Sequence, residues 1–262
     1  MTISSAPSAA LLPALTDAVS EAGRLALSMF RKDVRTWNKE NQSPVTEADL
    51  AVDLFLRKRL FEADLDAGWL SEETADAPAR LEKSRIWIVD PIDGTRSFVA
   101  GKEDWAVCAA LVEEGRPVLG AVFVPATGEL FAAALGNGAT RNGTAISASE
   151  PRDVKTAAIA RPYGLEKTFA QTGNMTSAPH IHAIAVRLAR VASGEIDGAL
   201  ARENANDWDI AAADLIIHEA GGKLTDSAGN LPRYNRPVPK HGMLVASGKS
   251  LHAPLLAALA NR

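Results

Sequence analysis

Asp90 and Asp93 stand three residues apart in the stretch Trp87-Ile-Val-Asp-Pro-Ile-Asp-Gly-Thr-Arg-Ser-Phe98. Carboxylates this close repel each other, and neither has an obvious cationic partner within the turn. A divalent cation resolves the conflict directly: Mg²⁺ prefers hard oxygen ligands, and carboxylates at a strand end supply them. The main-chain carbonyl of Ile92, between the two, is a further candidate ligand. Pro91 fixes the local backbone and Gly94 permits a tight turn. Thr95 and Ser97 sit where a helix can start, so that its N–H groups would face a phosphate held by the metal. Two more acidic spots share this setting. Glu72-Glu73 follow the apolar Trp69-Leu70, and Asp209 follows Trp208 at the opening of an apolar run, where a helix end is positive. Acidic groups at the ends of several elements are what a multi-metal phosphoryl-transfer site requires. One metal lowers the pKa of a water and another stabilises the leaving oxygen.

The elements that would position these groups are legible in outline. Residues 8–30 carry Leu11, Leu15, Val19, Ala22, Leu25 and Met29 at mixed three- and four-residue spacing, an amphipathic helix. Thr46 with Asp49 forms a capping pattern that opens a second helix, with Leu50, Leu54 and Leu60 as its apolar positions. Ile86 to Val89 is short, apolar and β-branched, a buried strand that delivers Asp90 to its end. Pro117 to Val124 and Glu129 to Ala134 form a hairpin around Pro125-Ala126-Thr127-Gly128. Further helices are expected over Ile181 to Ala192, over Ile210 to Ala220 with Gly221-Gly222 as the stop, and around Ala253 to Ala260. Strands and helices mix throughout, so the class is α/β or α+β. The chain reads as a single catalytic unit (1–262) with two halves. Residues 1–149 carry most of the acidic groups, and 150–262 supply Asp209 and substrate contacts.

Composition narrows the function. The chain has 262 residues, 47% hydrophobic and 23% charged, near ordinary globular values. A formal net charge of −4 argues against a general nucleic-acid binder. Cys108 is the single cysteine, which leaves no intramolecular disulfide and no cysteine-cluster metal site and suits a reducing compartment. Apolar runs such as Ala106 to Val112 fall far short of the roughly 20 residues that span a bilayer. In the N-terminal stretch the first basic residue is Arg24, well after the apolar run Ala9 to Leu15, unlike a secretory signal. The expectation is a cytoplasmic protein with no membrane association.

Ser43-Pro-Val-Thr-Glu-Ala-Asp49, Glu72-Glu73, Asp90-Pro-Ile-Asp-Gly-Thr95 and Trp208-Asp209-Ile-Ala-Ala212 together resemble the signatures of the inositol monophosphatase superfamily, in its order and spacing. The resemblance implies a layered α/β/α/β/α sandwich, the architecture shared with fructose-1,6-bisphosphatases, and Mg²⁺-dependent hydrolysis of small phosphate monoesters. It also implies two or three ions, Mn²⁺ as a substitute, inhibition by Li⁺, and a homodimer. Carried over by position, Glu72, Asp90, the Ile92 carbonyl, Asp93 and Asp209 would be the metal ligands. Thr95 would orient the attacking water, with Asp49 and Glu72 acting on it, and Gly94 and Thr95 would meet the phosphate through their backbone. Asp209 would also contact substrate.

The departures from the family pattern bear on substrate. Seven residues before Asp209, where the family usually has a glutamate that meets sugar hydroxyls, stands Arg202, with Glu203 beside it. A cation there suits a second anionic group. The family's Gly-Ser pair at the start of the preceding helix is replaced by His182-Ala183, and Arg96-Ser97-Phe98 resembles histidinol-phosphatase-like members. The lead reading is therefore an inositol-monophosphatase-like phosphatase. A 3′(2′),5′-bisphosphate nucleotidase and a histidinol-phosphate phosphatase are the alternatives, and a regulatory or binding protein that kept the fold is the non-enzyme reading. Simpler roles compete locally. Asp90 and Asp93 suit an ordinary turn, Asp209 a helix N-cap, Asp49 a capping box, and Glu73 competes with Glu72. His180 and His182 match no zinc pattern and read as packing or substrate-side polarity. Gly248-Lys249-Ser250 lacks the glycine of a P-loop, and no serine-hydrolase elbow is present. Cys108, Trp37, Trp69 and Trp87 read as packing residues.

Overall fold

Two helices with apolar stripes build the first layer. The computed structural model describes residues 8–39, 44–151, 153–162, 176–178 and 180–260; Ser43 of the first motif lies outside them. Helix α1 (Leu12–Met29) buries Leu15, Val19, Ala22 and Ala26. Helix α2 (Glu47–Ala63) buries Ala48, Val52, Leu56 and Leu60. The spacing expects Leu50 and Leu54 on the apolar face of α2, yet they are 44% and 72% exposed. Val52, Leu56 and Leu60 set the inward stripe, and Leu54, two residues from Val52, lies on the opposite side of the helix. A hairpin of β1 (Thr36–Asn38) and β2 (Pro44–Thr46) leads into α2. Trp37 on that hairpin is 42% exposed rather than packed, whereas Trp69 and Trp87 are buried.

The next layer is a seven-stranded sheet in sequential order. It comprises β3 (Gly68–Ser71), β4 (Arg85–Asp93), β5 (Ala106–Glu113), β6 (Arg116–Val124), β7 (Glu129–Ala134), β8 (Ala139–Arg141) and β9 (Thr144–Ile146). The β3–β4 pair is parallel and the others are antiparallel. The β6–β7 hairpin turns where the sequence expects it. Strand β4 is buried on both faces, which is why it reads as a continuous apolar run. Trp87 and Val89 pack toward α1 and α2, and Ile86 and Ile88 toward the opposite layer. The strand is longer than the expected Ile86–Val89. Asp90 pairs with Cys108 and Asp93 with Ala106, so the register shifts at Pro91-Ile92 and pairing resumes beyond it. Pro91 has no N–H for the ladder, and a bulge is where a proline fits within a sheet.

Helices α4 (Ile184–Ala192) and α5 (Asp207–Glu219) form the middle layer, and α3 (Thr95–Val99) is a short turn after β4. The second sheet has the order β11-β10-β12-β14-β13, made of β10 (Ala158–Ala160), β11 (Thr176–Ser177), β12 (Gly198–Ala201), β13 (Gly222–Asp226) and β14 (Leu244–Gly248). Helix α6 (Lys249–Ala260) covers its far face through Leu251, Leu255 and Leu259. The layers thus run helix, sheet, helix, sheet, helix, as the resemblance implies.

Three helix starts differ from the sequence expectation. Helix α4 begins at Ile184 rather than Ile181, because the His182 N–H is drawn to the Asp104 carboxylate at 2.7 Å. Helix α5 begins at Asp207, three residues before Ile210, so Asp209 is its third residue and not its N-cap. Helix α6 begins at Lys249, before Ala253, with Pro254 inside it. Burial of Leu251 in its first turn offsets the hydrogen bond that the proline forgoes.

Helix α5 lies directly on β6 at Gly120, where an added Cβ would stand 2.6 Å from the Ala212 carbonyl oxygen. Away from such a contact, alanine is the better residue in a strand interior. Gly120→Ala is therefore expected to lower the unfolding free energy by about 1–3 kcal/mol in urea titrations, the usual range for overpacking. Equal or higher stability would show that the helix does not sit this close.

Candidate active site

The β4 bulge sets Asp90, Ile92 and Asp93 into the wall of one cavity of about 580 Å³. Gly94 follows with φ of 88°, and a Cβ there would meet both the Ala183 Cβ and the Asp104 carbonyl at 3.0 Å. Glycine serves twice, for the left-handed conformation and for the close approach of α4. Glu72, immediately after β3, Asp209 from α5, and Gly94 and Thr95 line the same cavity. The structure therefore brings together Glu72, Asp90, Ile92, Asp93, Gly94, Thr95 and Asp209 from separate elements.

Asp49 stands behind this wall and has two functions, one for each oxygen. Its Oδ2 accepts from the Thr46 N–H at 2.8 Å and the Thr46 hydroxyl at 2.6 Å, closing the capping box of α2. Its Oδ1 lies 3.2 Å from the Thr95 hydroxyl, which is also 3.0 Å from the Ile92 carbonyl. The capping reading and the site reading of Asp49 are compatible. Arg202 does not line the cavity; the wall is formed by its neighbours Glu203 and Asn204.

Each carboxylate has a local partner, with one exception. Asp93 accepts the N–H groups of Ile184 at 3.2 Å and Ala185 at 2.6 Å, at the start of α4. Asp209 accepts the Asn206 N–H at 2.7 Å. Lys39 Nζ bridges Glu72 at 2.9 Å and Glu73 at 2.6 Å. The exception is Asp90, whose Oδ1 is buried with no hydrogen-bond partner among the described residues. Burial, reinforced by the charges of Glu72 and other nearby acids, pushes the Asp90 carboxyl far above its ordinary range. Burial does the same to Asp209. It raises Asp93 to about 7 against its two N–H bonds, and Asp49 to about 6 against its bonds to Thr46.

Among the described residues, no three His, Cys, Asp or Glu side chains converge as a ready metal cage. Mg²⁺ does not require one: it keeps several waters and takes one or two carboxylates, often with substrate phosphate. The donors lining the cavity are hard oxygens, and the orphaned Asp90 oxygen is a buried acceptor in need of a positive partner. This donor set fits a hard dication.

Residues 9–262 match the Inositol monophosphatase family. The chain belongs to this family. It is 33% identical to the histidinol-phosphatase of Mycobacterium tuberculosis, covering 94% of this chain and 95% of that protein. It is 32% identical to inositol monophosphatase 2 of Solanum lycopersicum, covering 82% and 86%. Extragenic suppressor protein suhB from Bartonella henselae has a similar structure, with a TM-score of 0.85 at 28% identity, covering 95% and 98%. Members of the family are metal-dependent phosphomonoesterases, generally Mg²⁺-dependent, and act on phosphorylated small molecules. No helix among the described residues is long and apolar enough to cross a membrane.

Two cations at this family site were not anticipated from sequence. Lys39 meets Glu72 across 33 positions of chain, and no local pattern marks it. Arg187 did leave a signal, as a charged residue inside the apolar helix α4. It is 5% exposed, donates to the Leu200 carbonyl at 2.7 Å, and its charge favours the ionised form of Asp93. His182, whose sequence setting suggests packing or substrate-side polarity, lines the cavity with Lys102 Nζ 3.2 Å from its Nε2.

Carboxyl groups whose folded pKa is raised favour folding below their unfolded pKa, and that contribution is lost as pH rises through the folded value. For Asp49 and Asp93 the window runs from about 4 to the folded values of about 6 and about 7. His252, lowered to about 4 by burial, and His182, also lowered by burial, oppose them below the ordinary histidine range, and the several raised carboxyls outweigh the two. In chelator, the protein is expected to melt at a lower temperature at pH 8 than at pH 5.5, and Mg²⁺ should narrow the difference. A metal-free melting temperature that rises toward pH 8 would contradict this electrostatic account.

Proposed function

We propose that this protein hydrolyses a small-molecule phosphate monoester with Mg²⁺, and that Glu72, Asp90, the Ile92 carbonyl, Asp93 and Asp209 hold the metal. The observation that carries this reading is Asp90, which has a buried, unpartnered carboxylate oxygen and lines a cavity with further carboxylates. When bound, Mg²⁺ would neutralise these groups and polarise the phosphate oxygens. In this reading the two halves act as one catalytic unit, residues 1–149 contributing Glu72, Asp90 and Asp93, and residues 150–262 contributing Asp209.

The chain's own residues supply orientation and proton handling. The Thr95 hydroxyl has one proton and two candidate acceptors, so it can donate to Asp49 or Ile92 and accept from a water in the cavity. Asp49, with its carboxyl raised to about 6, is suited to take up that proton near neutral pH. Glu72 approaches the same water from the β3 side. The backbone N–H groups of Gly94 and Thr95 face the phosphate, and Asp209 reaches toward the alcohol portion. Two or three ions, replacement by Mn²⁺, inhibition by Li⁺, a homodimer and a cytoplasmic location complete the reading.

Substrate preference follows from the wall next to Asp209. A cation at Arg202 would suit a second anionic group, but the cavity presents Glu203 and Asn204 instead. A carboxylate and an amide suit hydroxyl or ammonium groups, as in inositol phosphate or histidinol phosphate. The similarity to a histidinol-phosphatase along nearly the whole chain supports the same choice.

Phosphate release should be measured with Mg²⁺ on inositol 1-phosphate, histidinol phosphate, fructose 1,6-bisphosphate and 3′-phosphoadenosine 5′-phosphate. One of the first two is expected to exceed the nucleotide in kcat/KM by about 10-fold or more, a difference of about 1.4 kcal/mol in transition-state binding. Asp93→Asn should abolish turnover while circular dichroism stays unchanged. Preference for the nucleotide would return Arg202 to the site. Silence across the panel would favour the binding-protein reading.

A further inference from the structure

The chain between β13 and β14 crosses over the turn that joins β12 to α5, and it is bonded there along its length. The His241 N–H donates to the Ala205 carbonyl at 2.8 Å, and the Asn204 N–H donates to the His241 carbonyl at 2.8 Å. The Asp207 N–H donates to the Pro239 carbonyl at 3.0 Å. The side chains repeat the link. His241 Nε2 lies 2.7 Å from Asp207 Oδ1, and the Asn235 N–H donates to Asp207 Oδ2 at 2.7 Å. Asp207 is wholly buried and His241 is 8% exposed. Both Asp207 oxygens are thus directed at the crossing chain, and Asp207 is absent from the cavity wall.

The crossing chain is itself anchored on its far side. Arg80 Nη1 donates to the Asn235 side-chain carbonyl at 2.6 Å, and the Tyr234 hydroxyl donates to Asp214 at 2.8 Å, about two α5 turns beyond Asp207. It therefore grips α5 at Asp207 and Asp214 and the preceding turn at Asn204 and Ala205. That turn carries Glu203 and Asn204 of the cavity, and the first helical turn carries Asp209.

We propose that Asp207 and His241 are positioning residues that set the start of α5, and so place Asp209, Glu203 and Asn204 at the cavity. The inference rests on the reading of Asp209 as a metal-holding group. Partners hydrogen-bonded to metal ligands commonly change affinity by 10- to 100-fold when removed; Asp207 and His241 act on the backbone that carries such groups, so the lower end applies.

The test uses the full-length chain, Mn²⁺ as the probe, and amide hydrogen exchange. His241→Ala should weaken Mn²⁺ binding, measured by calorimetry on folded protein, by about 10-fold. It should also accelerate exchange at the Asn204 and Asp207 amides. Asp207→Asn keeps the shape. Its amide can donate to the other tautomer of His241 while its carbonyl accepts from Asn235, so Mn²⁺ affinity and exchange should stay within about threefold of the parent. Should His241→Ala not fold, Asp207→Asn carries the test. Its loss of Mn²⁺ affinity with amide protection intact would mean that Asp207 acts by charge, and would overturn the proposal. Parental exchange in folded His241→Ala, or parental Mn²⁺ affinity despite faster exchange, would overturn it too. Failure of the parent to hydrolyse p-nitrophenyl phosphate would count against the proposed function alone, because exchange reports the positioning independently.

Discussion

Buried negative charge is the constraint around which this molecule is arranged. Asp90 and Asp93 are buried, with Asp49 buried behind them, Asp209 is half-buried in the same cavity wall, and each carboxyl is raised by desolvation. Isolated buried carboxylates would neutralise rather than remain charged. The fold offsets part of this penalty with backbone dipoles. Asp49 is the third residue of α2, Asp209 the third residue of α5, and Asp93 accepts the first two N–H groups of α4. Three helix starts therefore point at one small volume, each with its positive end toward a carboxylate. Lys39 and Arg187 add whole charges at the edge. Asp90 receives none of this help through its Oδ1, which makes it the natural focus for a dication.

Convergence of three helices and two strand ends requires a stiff frame. Sheet β3 to β9 provides it because its central strands are packed on both faces, between α1 and α2 on one side and α4 and α5 on the other. The Pro91 bulge interrupts the ladder where the chain must bend away from it, so Asp90 and Asp93 can serve one cavity although they lie on one strand. Gly120 lets α5 seat against β6, and the chain crossing from β13 fixes where that helix begins. Position along α5 thus depends on contacts from both sheets. A shift of one residue there would carry Asp209 out of the cavity.

Much of the candidate site was legible because its residues sit beside local punctuation. Asp90, Pro91, Asp93 and Gly94 combine a strand end, a proline and a turn glycine, and Thr46 with Asp49 is a capping pattern visible in four residues. Helix starts were less legible. Ile184 and Asp207 begin their helices under the pull of partners from other segments, Asp104 and Asp93 for α4 and the crossing chain for α5. The exposure of Leu50 and Leu54 had the same cause, since periodicity gives the stripe's spacing and packing selects which stripe faces inward.

By itself, then, the sequence determined the alternation of elements, the acidic residues at their ends and the family signature, all of which depend on neighbours within a few positions. Tertiary structure alone decided which groups share the cavity. It set Glu203 and Asn204, and not Arg202, into the wall, and it brought Lys39 to Glu72 and His241 to Asp207 across 33 and 34 positions of chain. The physical reason is that spacing fixes a side chain's direction relative to its own element, whereas the charges and dipoles that surround it come from how separate elements pack.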